Sequence, residues 1–272
     1  MLPTLLVTFR ESLEASLVVV IILSYLIKTG RGRYSKVVFQ GVTYGIAASL
    51  AVALLFSRFA GGLEGVTEAI FEGSTMLVAS LLISSLLIWA MKHSNTSHRI
   101  KKDVDVALDK RQEIGLLLLA FVAVFREGVE TVLFLAAVSF SGGLSLFGGL
   151  LGMTSAVAVG YLFFVTSGKL NLKIFFFVTG IMLLLFSAGL FASFVHEFQE
   201  AGVISVLVQE AWNTEHILSE RGFAGSIMKS LLGYNANPSV LEVVAYLSYI
   251  AFVGFVYYKV NPAKNIAALV KR

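Results

Sequence analysis

Apolar residues in this chain fall in long runs, and the polar residues gather between the runs. Seven runs, at approximately 4–27, 37–57, 73–91, 114–138, 146–166, 174–195 and 239–258, each approach the about 20 residues that a helix needs to cross a hydrocarbon core of about 30 Å. The pattern predicts an all-α integral membrane protein with seven transmembrane helices in a single domain over 1–272. Between the sixth and seventh runs lies a long connection, 196–238. Its apolar Val203, Ile204, Val206 and Leu207, then Ile227, Leu231 and Leu232, suggest short interfacial helices that serve as a lid or a docking surface.

Composition agrees with that reading. Hydrophobic residues make up 57% of the 272 positions and charged residues 14%, against the about 25% charge of a soluble domain. The chain has no cysteine, which excludes disulfides, thiolate ligands and thiol chemistry. The first run follows Met1-Leu2-Pro3 without a basic stretch and contains Arg10, Glu11 and Glu14, so it reads as a mature span and not as a signal peptide.

Charge placement sets the orientation. The 28–36 and 92–113 connections, Lys169, Lys173 and the tail after 258 hold sixteen Lys and Arg on one side, against Arg58, Arg221 and Lys229 on the other. The positive-inside bias therefore predicts an outer N-terminus and a cytoplasmic C-terminus. It also accounts for the net charge of +4 without a nucleic-acid partner. The outer side carries Glu64, Glu68, Glu72, Glu197, Glu200, Glu210, Glu215 and Glu220, a surface that concentrates cations. Glu210, Glu215 and Glu220 also suit plain solvated loops.

Seven charges lie inside the runs, and six of them form two copies of one pattern. The copies are Phe9-Arg10-Glu11-Ser12-Leu13-Glu14 and Phe125-Arg126-Glu127-Gly128-Val129-Glu130. Charges at such depth cost at least about 2.5–3.5 kcal/mol each on insertion scales, so they must face a packed interior or a wet cavity. Glutamates three apart share a helix face, and the arginine four before the second glutamate is placed to neutralise it. The copies sit on the first and fourth spans, which makes spans 1–3 (1–91) and 4–6 (114–195) an inverted repeat followed by one C-terminal helix (239–258). Substrate sites commonly lie at such repeat interfaces near the midplane. At 1.5 Å per residue, the first pair lies roughly 10–15 Å below the outer end of its span and the second roughly 20–24 Å above the inner end of its own, so the four carboxylates are expected to converge.

Four carboxylates offset by two guanidinium groups leave a charge near minus two. Oxygen donors without sulfur suit a hard, multivalent cation. Helix-gluing ion pairs are the plainer reading of one such motif; duplication at mirrored depth favours a site.

On these residues the chain resembles the oxidase-dependent iron permease family, which includes fungal high-affinity and bacterial iron-uptake permeases. The family is marked by Arg-Glu-x-x-Glu in its first and fourth spans, matched here at Arg10–Glu14 and Arg126–Glu130. Further matching stretches are Phe71-Glu72-Gly73, His196-Glu197-Phe198-Gln199-Glu200-Ala201-Gly202 and Gly233-Tyr234-Asn235-Ala236-Asn237-Pro238. Ser12 stands where the first motif usually has glycine. The resemblance implies an iron-uptake permease of the plasma or inner membrane, not an enzyme. It implies Glu11, Glu14, Glu127 and Glu130 as iron-handling carboxylates, Arg10 and Arg126 as their charge partners, and an outer-face oxidase or iron-delivery protein that produces or presents Fe3+.

Glu64, Glu68 and Glu72 recur every four residues, so an outward extension of the third helix would align them as a ladder facing Glu197 and Glu200; an amphipathic helix end is the alternative. Glu72, Glu197 and Glu200 complete the expected metal-handling set. His196 reads as a further ligand or as a hydrogen-bonding interfacial residue. Glu242 opens the seventh span and is left outside the site. Gly41/Gly45 and Gly148/Gly152 have the small-x-x-x-small spacing of close helix packing. Trp89, Tyr257 and Tyr258 suit an aromatic belt, and the 92–113 stretch with His93 and His98 reads as a solvated connection, helical or not. Transport of another divalent cation (Mn2+, Pb2+), an intramembrane carboxylate metalloenzyme and a non-transporting sensor are the competing functions.

Overall fold

The structure, a computed structural model, describes residues 1–92, 96–141, 144–166, 173–205, 210–219 and 222–260. Among them there is no strand. The helices are α1 (Leu2–Lys28), α2 (Ser35–Ala60), α3 (Val66–Lys92), α4 (Thr96–Phe140), α5 (Leu146–Val165), α6 (Lys173–Glu200), α7 (Phe223–Leu232) and α8 (Val240–Val260), with a 3-10 turn at Gly32–Tyr34. By length and apolarity alone, four stretches qualify to cross a membrane: Gly32–Ala60, Val66–Ile88, Leu146–Val165 and Val178–Glu200. Val240–Val256 is a shorter apolar helix. α1 and α4 are long enough, but they carry the three motif charges each.

The helices gather into two compact units, each drawing on both halves of the chain. One comprises Met1–Gly62 and Asn95–Phe176, the other Leu63–Ser94 and Phe177–Arg272.

In the first unit α1 packs against α5 and α2 against α4, and the two seams match at their glycine pairs. A Cβ on Gly41 would strike the Leu117 carbonyl, nine residues before Arg126; one on Gly148 would meet the Met1 carbonyl at 2.6 Å, nine before Arg10. Gly45 faces Val124, the Phe121 carbonyl and the Phe125 amide; Gly152 faces Thr8, the Leu5 carbonyl and the Phe9 amide, at the same offsets from the motif. Further along, Ser49 meets Gly128 and Gly160 meets Ser16. Residue numbers rise together along both seams, so each pair runs parallel. Both glycine pairs therefore act as packing residues, letting backbones approach where side chains would hold them apart.

α1 and α4 run in opposite directions. Glu11 lies beside Glu127, Ile22 and Leu26 share a buried cluster with Leu116 and Ala120, and the Tyr25 hydroxyl donates to Asp105 at 2.7 Å. The 96–113 stretch is thus no mere connection. It belongs to the 45-residue α4, and its Val104 is fully buried with Tyr34 and Val38. At 1.5 Å per residue this helix is roughly 68 Å long, twice what a bilayer core needs. Continuous i to i−4 bonding is why a polar stretch there still folds as helix: packing on α1 and α2 supplies what its composition lacks.

Outward-facing positions of this unit are large and apolar. α5 buries Gly148, Gly152, Ala156 and Gly160, while Leu146, Phe147, Leu150, Val157 and Tyr161 are exposed. Small residues inside and bulky ones outside suit a lipid surround, where tight backbone packing replaces the hydrophobic effect as the force between helices. Ser145 caps α5 by accepting from the Gly148 amide at 3.1 Å, and its own amide donates to Thr4 Oγ1 at 3.1 Å, tying the start of α5 to α1.

In the second unit α3 and α6 run antiparallel, Gly73 against Phe198 and Glu197, and Leu87 against Gly180. α8 joins through the buried Tyr249 hydroxyl, which bonds Ser84 and donates to the Ser80 carbonyl. Described parts of the 196–238 segment bond to one another: Ala211 N donates to Pro238 O and Thr214 N to Ala236 O, both at 2.8 Å. α7 ends in a left-handed Gly233 (φ 67°), whose amide bonds Lys229 O, and Gly233 packs directly on Gly189.

His93, Lys169, Val206, Leu207, Glu220, Arg221 and the tail beyond 260 lie outside the described residues, as do the side chains of Trp89, His98, Ile227, Leu231, Tyr257 and Tyr258.

Candidate metal-ion pathway site

Antiparallel α1 and α4 bring the two motifs together. One carboxylate oxygen from each of Glu11, Glu14 and Glu127 lies within 4.8 Å of the others. Glu130 stays outside this triplet but also turns an oxygen inward: Glu11 Oε2, Glu127 Oε2 and Glu130 Oε2 are all buried without a hydrogen-bond partner. Leaving a buried acceptor unsatisfied costs about 1–3 kcal/mol, more when charged. Hard cations are bound by sets of carboxylate oxygens, and the triplet of Glu11, Glu14 and Glu127 has the spacing to hold one.

The two arginines hold their glutamates differently. Arg10, with its side chain 4% exposed, forks between Glu11 Oε1 (2.7 Å) and Glu14 Oε1 (3.0 Å). Arg126 is 51% exposed and uses only Nε, 2.8 Å from Glu130 Oε1 and 3.9 Å from Glu127 Oε1. The expected pairing four residues apart is present in both copies. The additional grip on the adjacent Glu11 was not foreseen, because the geometry of a buried fork depends on the neighbouring helices.

Ser12 and Gly128 occupy equivalent motif positions. A Cβ on Gly128 would collide with Ser49 Oγ and lie 2.5 Å from Ser49 Cβ. Four residues after Gly152, α5 carries Ala156 at the place that corresponds to Ser49, so the copy with serine in the motif is matched by a smaller residue on the opposing helix. Gly128→Ala is therefore expected to lower thermal stability by about 1–3 kcal/mol of overpacking. Adding Ser49→Gly should restore it, as read by melting in detergent.

The other expected carboxylates meet in the second unit. Glu68, Glu72, Glu197 and Glu200 line a cavity of about 510 Å3 with Gly65, Val66 and Ala69. α3 starts early enough to carry Glu68 and Glu72 one turn apart, and a left-handed Gly202 (φ 71°) follows α6 two residues after Glu200. Glu64 departs from the expected ladder: it precedes α3 and does not line the cavity.

Glu242, set aside on sequence, is a finding. It is 5% exposed, accepting from Asn235 Nδ2 (2.8 Å) and the Ser239 amide (3.2 Å), with His196 Nδ1 at 3.1 Å. With His196, Gln199, Glu200, Glu210, Asn237 and Ser239 it lines a second cavity of about 290 Å3. The available signal was its status as the one charge inside the spans outside the two motifs, four residues after Asn-Pro.

The chain matches the model of the iron permease FTR1 family over residues 1–264. It is 34% identical over 259 residues to the ferrous iron permease EfeU of Escherichia coli O6:H1, covering 92% of this chain and 94% of that protein. It is 33% identical over 258 residues to that of Shigella sonnei (92% and 93%), and 32% identical over 254 to that of Yersinia pestis (90% and 89%). No solved structure matches. A match along nearly the full chain, with relatives above 30% identity that are permeases and not enzymes, leaves one conclusion: the chain belongs to the iron permease FTR1 family.

Proposed function

We propose that this membrane protein takes up iron through the carboxylate cage of Glu11, Glu14, Glu127 and Glu130, with Arg10 and Arg126 balancing part of the charge. The observation that carries the reading is the trio of buried, unpartnered oxygens beside a triplet of carboxylates within 4.8 Å. Seven membrane spans, an outer N-terminus and an inverted 3+3 repeat are part of the proposal; the antiparallel motif helices and the twice-repeated glycine seam support it. Glu68, Glu72, Glu197 and Glu200 would gather cations at their own cavity, since clustered like charge raises local cation concentration.

An oxygen-only cage favours Fe3+, and the resemblance to oxidase-dependent permeases adds an outer-face oxidase or delivery protein that presents it. A second reading, uptake of Fe2+ as such, is favoured by the name of the relatives, ferrous iron permease. Proteoliposomes loaded with a metal-quenched dye test both. Iron-dependent quenching by the purified chain is the expected result, and tight binding without flux would defeat the transport reading. Flux with anaerobic Fe2+ but not ferric citrate would select the second form.

A further inference from the structure

We propose that His196 and Glu200, at the C-terminal end of α6, form a second metal site, separate from the cage, that takes a divalent first-row transition-metal ion. It rests on the iron-uptake reading for its biological purpose, though not for its chemistry. The two residues are four apart on one helix face, and His196 Nε2 lies 3.3 Å from Glu200 Oε1. Two donors bound to one ion at about 2.1 Å sit about 3.0–3.4 Å apart, so the pair already has a chelating separation.

The far side of the imidazole is fixed as metal-binding histidines usually are. Nδ1 lies 3.1 Å from Glu242 Oε1, and a carboxylate only accepts, so Nδ1 carries a proton there and Nε2 is the nitrogen that an ion would take in place of a second proton. Glu242 is itself held by Asn235 Nδ2 and the Ser239 amide. Room for the ion and its waters exists in the adjoining cavity of about 290 Å3. Gln199 lines the same cavity: 9% exposed, it accepts from Ser239 Oγ through Oε1 and leaves a buried Nε2 without a partner, a donor suited to a water or anion on the ion. A mixed imidazole and carboxylate set selects first-row transition metals over Ca2+ and Mg2+, which prefer oxygen alone. That distinguishes it from the all-oxygen cage.

The test uses the full chain in lipid nanodiscs and Co2+ as the probe, read by its visible absorption and by paramagnetically shifted imidazole proton resonances. Glu11→Gln/Glu127→Gln serves as the background that weakens the cage. Imidazole-coordinated Co2+ is expected in both wild type and background, and His196→Gln or His196→Asn should abolish the shifted resonance. Glu242→Gln should keep it while weakening Co2+ binding about 10–100-fold. Wild-type protein with no shifted imidazole signal, or a signal unaffected by either His196 substitution, overturns the site and leaves His196 a cation clamped between two carboxylates. Histidine-bound Co2+ in a chain that moves no iron would keep this site and defeat the uptake reading instead.

Discussion

Replacing Glu11 by alanine is expected to abolish iron uptake, and Glu127→Ala should do the same, with the amount of protein in the membrane unchanged. Glu11 supplies one of three clustered carboxylate oxygens and an unpartnered Oε2, so its loss removes a donor that no neighbour replaces. Glu11 also shares Arg10 with Glu14. Breaking a buried pair outright costs about 3–5 kcal/mol, but Glu14 remains to hold the guanidinium, so transport suffers more than folding. Glu11→Gln keeps the volume and isolates the charge. Radioactive iron uptake, normalised to membrane protein level, is the measurement; unchanged uptake in both alanine variants would remove the cage from the pathway.

Gly152→Val is expected to be as damaging by a different route, through loss of the folded protein. Its first added carbon would lie 2.6 Å from the Leu5 carbonyl and 2.9 Å from the Phe9 amide, and would collide with Thr8 Oγ1. Backbone on a packed helix cannot step aside, so the cost exceeds the about 1–3 kcal/mol of ordinary overpacking. Gly149→Ala is the control. A Cβ there would meet Thr4 Cγ2 at 3.6 Å, an ordinary contact, and should be tolerated. Melting in detergent should separate the two, and equal stability would show that the seam does not determine the fold.

Much of this was legible in the residues because membrane helices announce themselves by apolar length and buried charge by its rarity. The duplicated motif predicts that Glu11, Glu14, Glu127 and Glu130 converge, since charges at that depth have few places to go; the first three lie within 4.8 Å of one another and Glu130 stands outside them. Hidden were features set by partners distant in sequence. The extension of α4 through polar 96–113 depends on packing of Val104 with Ile22, Leu26 and Tyr34. Glu242 stays outside the site on sequence because Asn235, Ser239 and His196 converge on it only after the chain folds. Exclusion of Glu64 turns on where α3 begins, and helix starts are the least determined part of a sequence pattern.

The crossed seams carry a mechanical consequence. Because the opening helix of each half is clasped by the second helix of the other, the halves of this four-helix body are interlocked, and neither can swing away without tearing its partner's glycine contacts. Transporters built from opposed repeats commonly work by rocking one bundle against another. Here that motion would dismantle the body, so the rearrangements open to it are those of side chains within it or of the four helices moving as one.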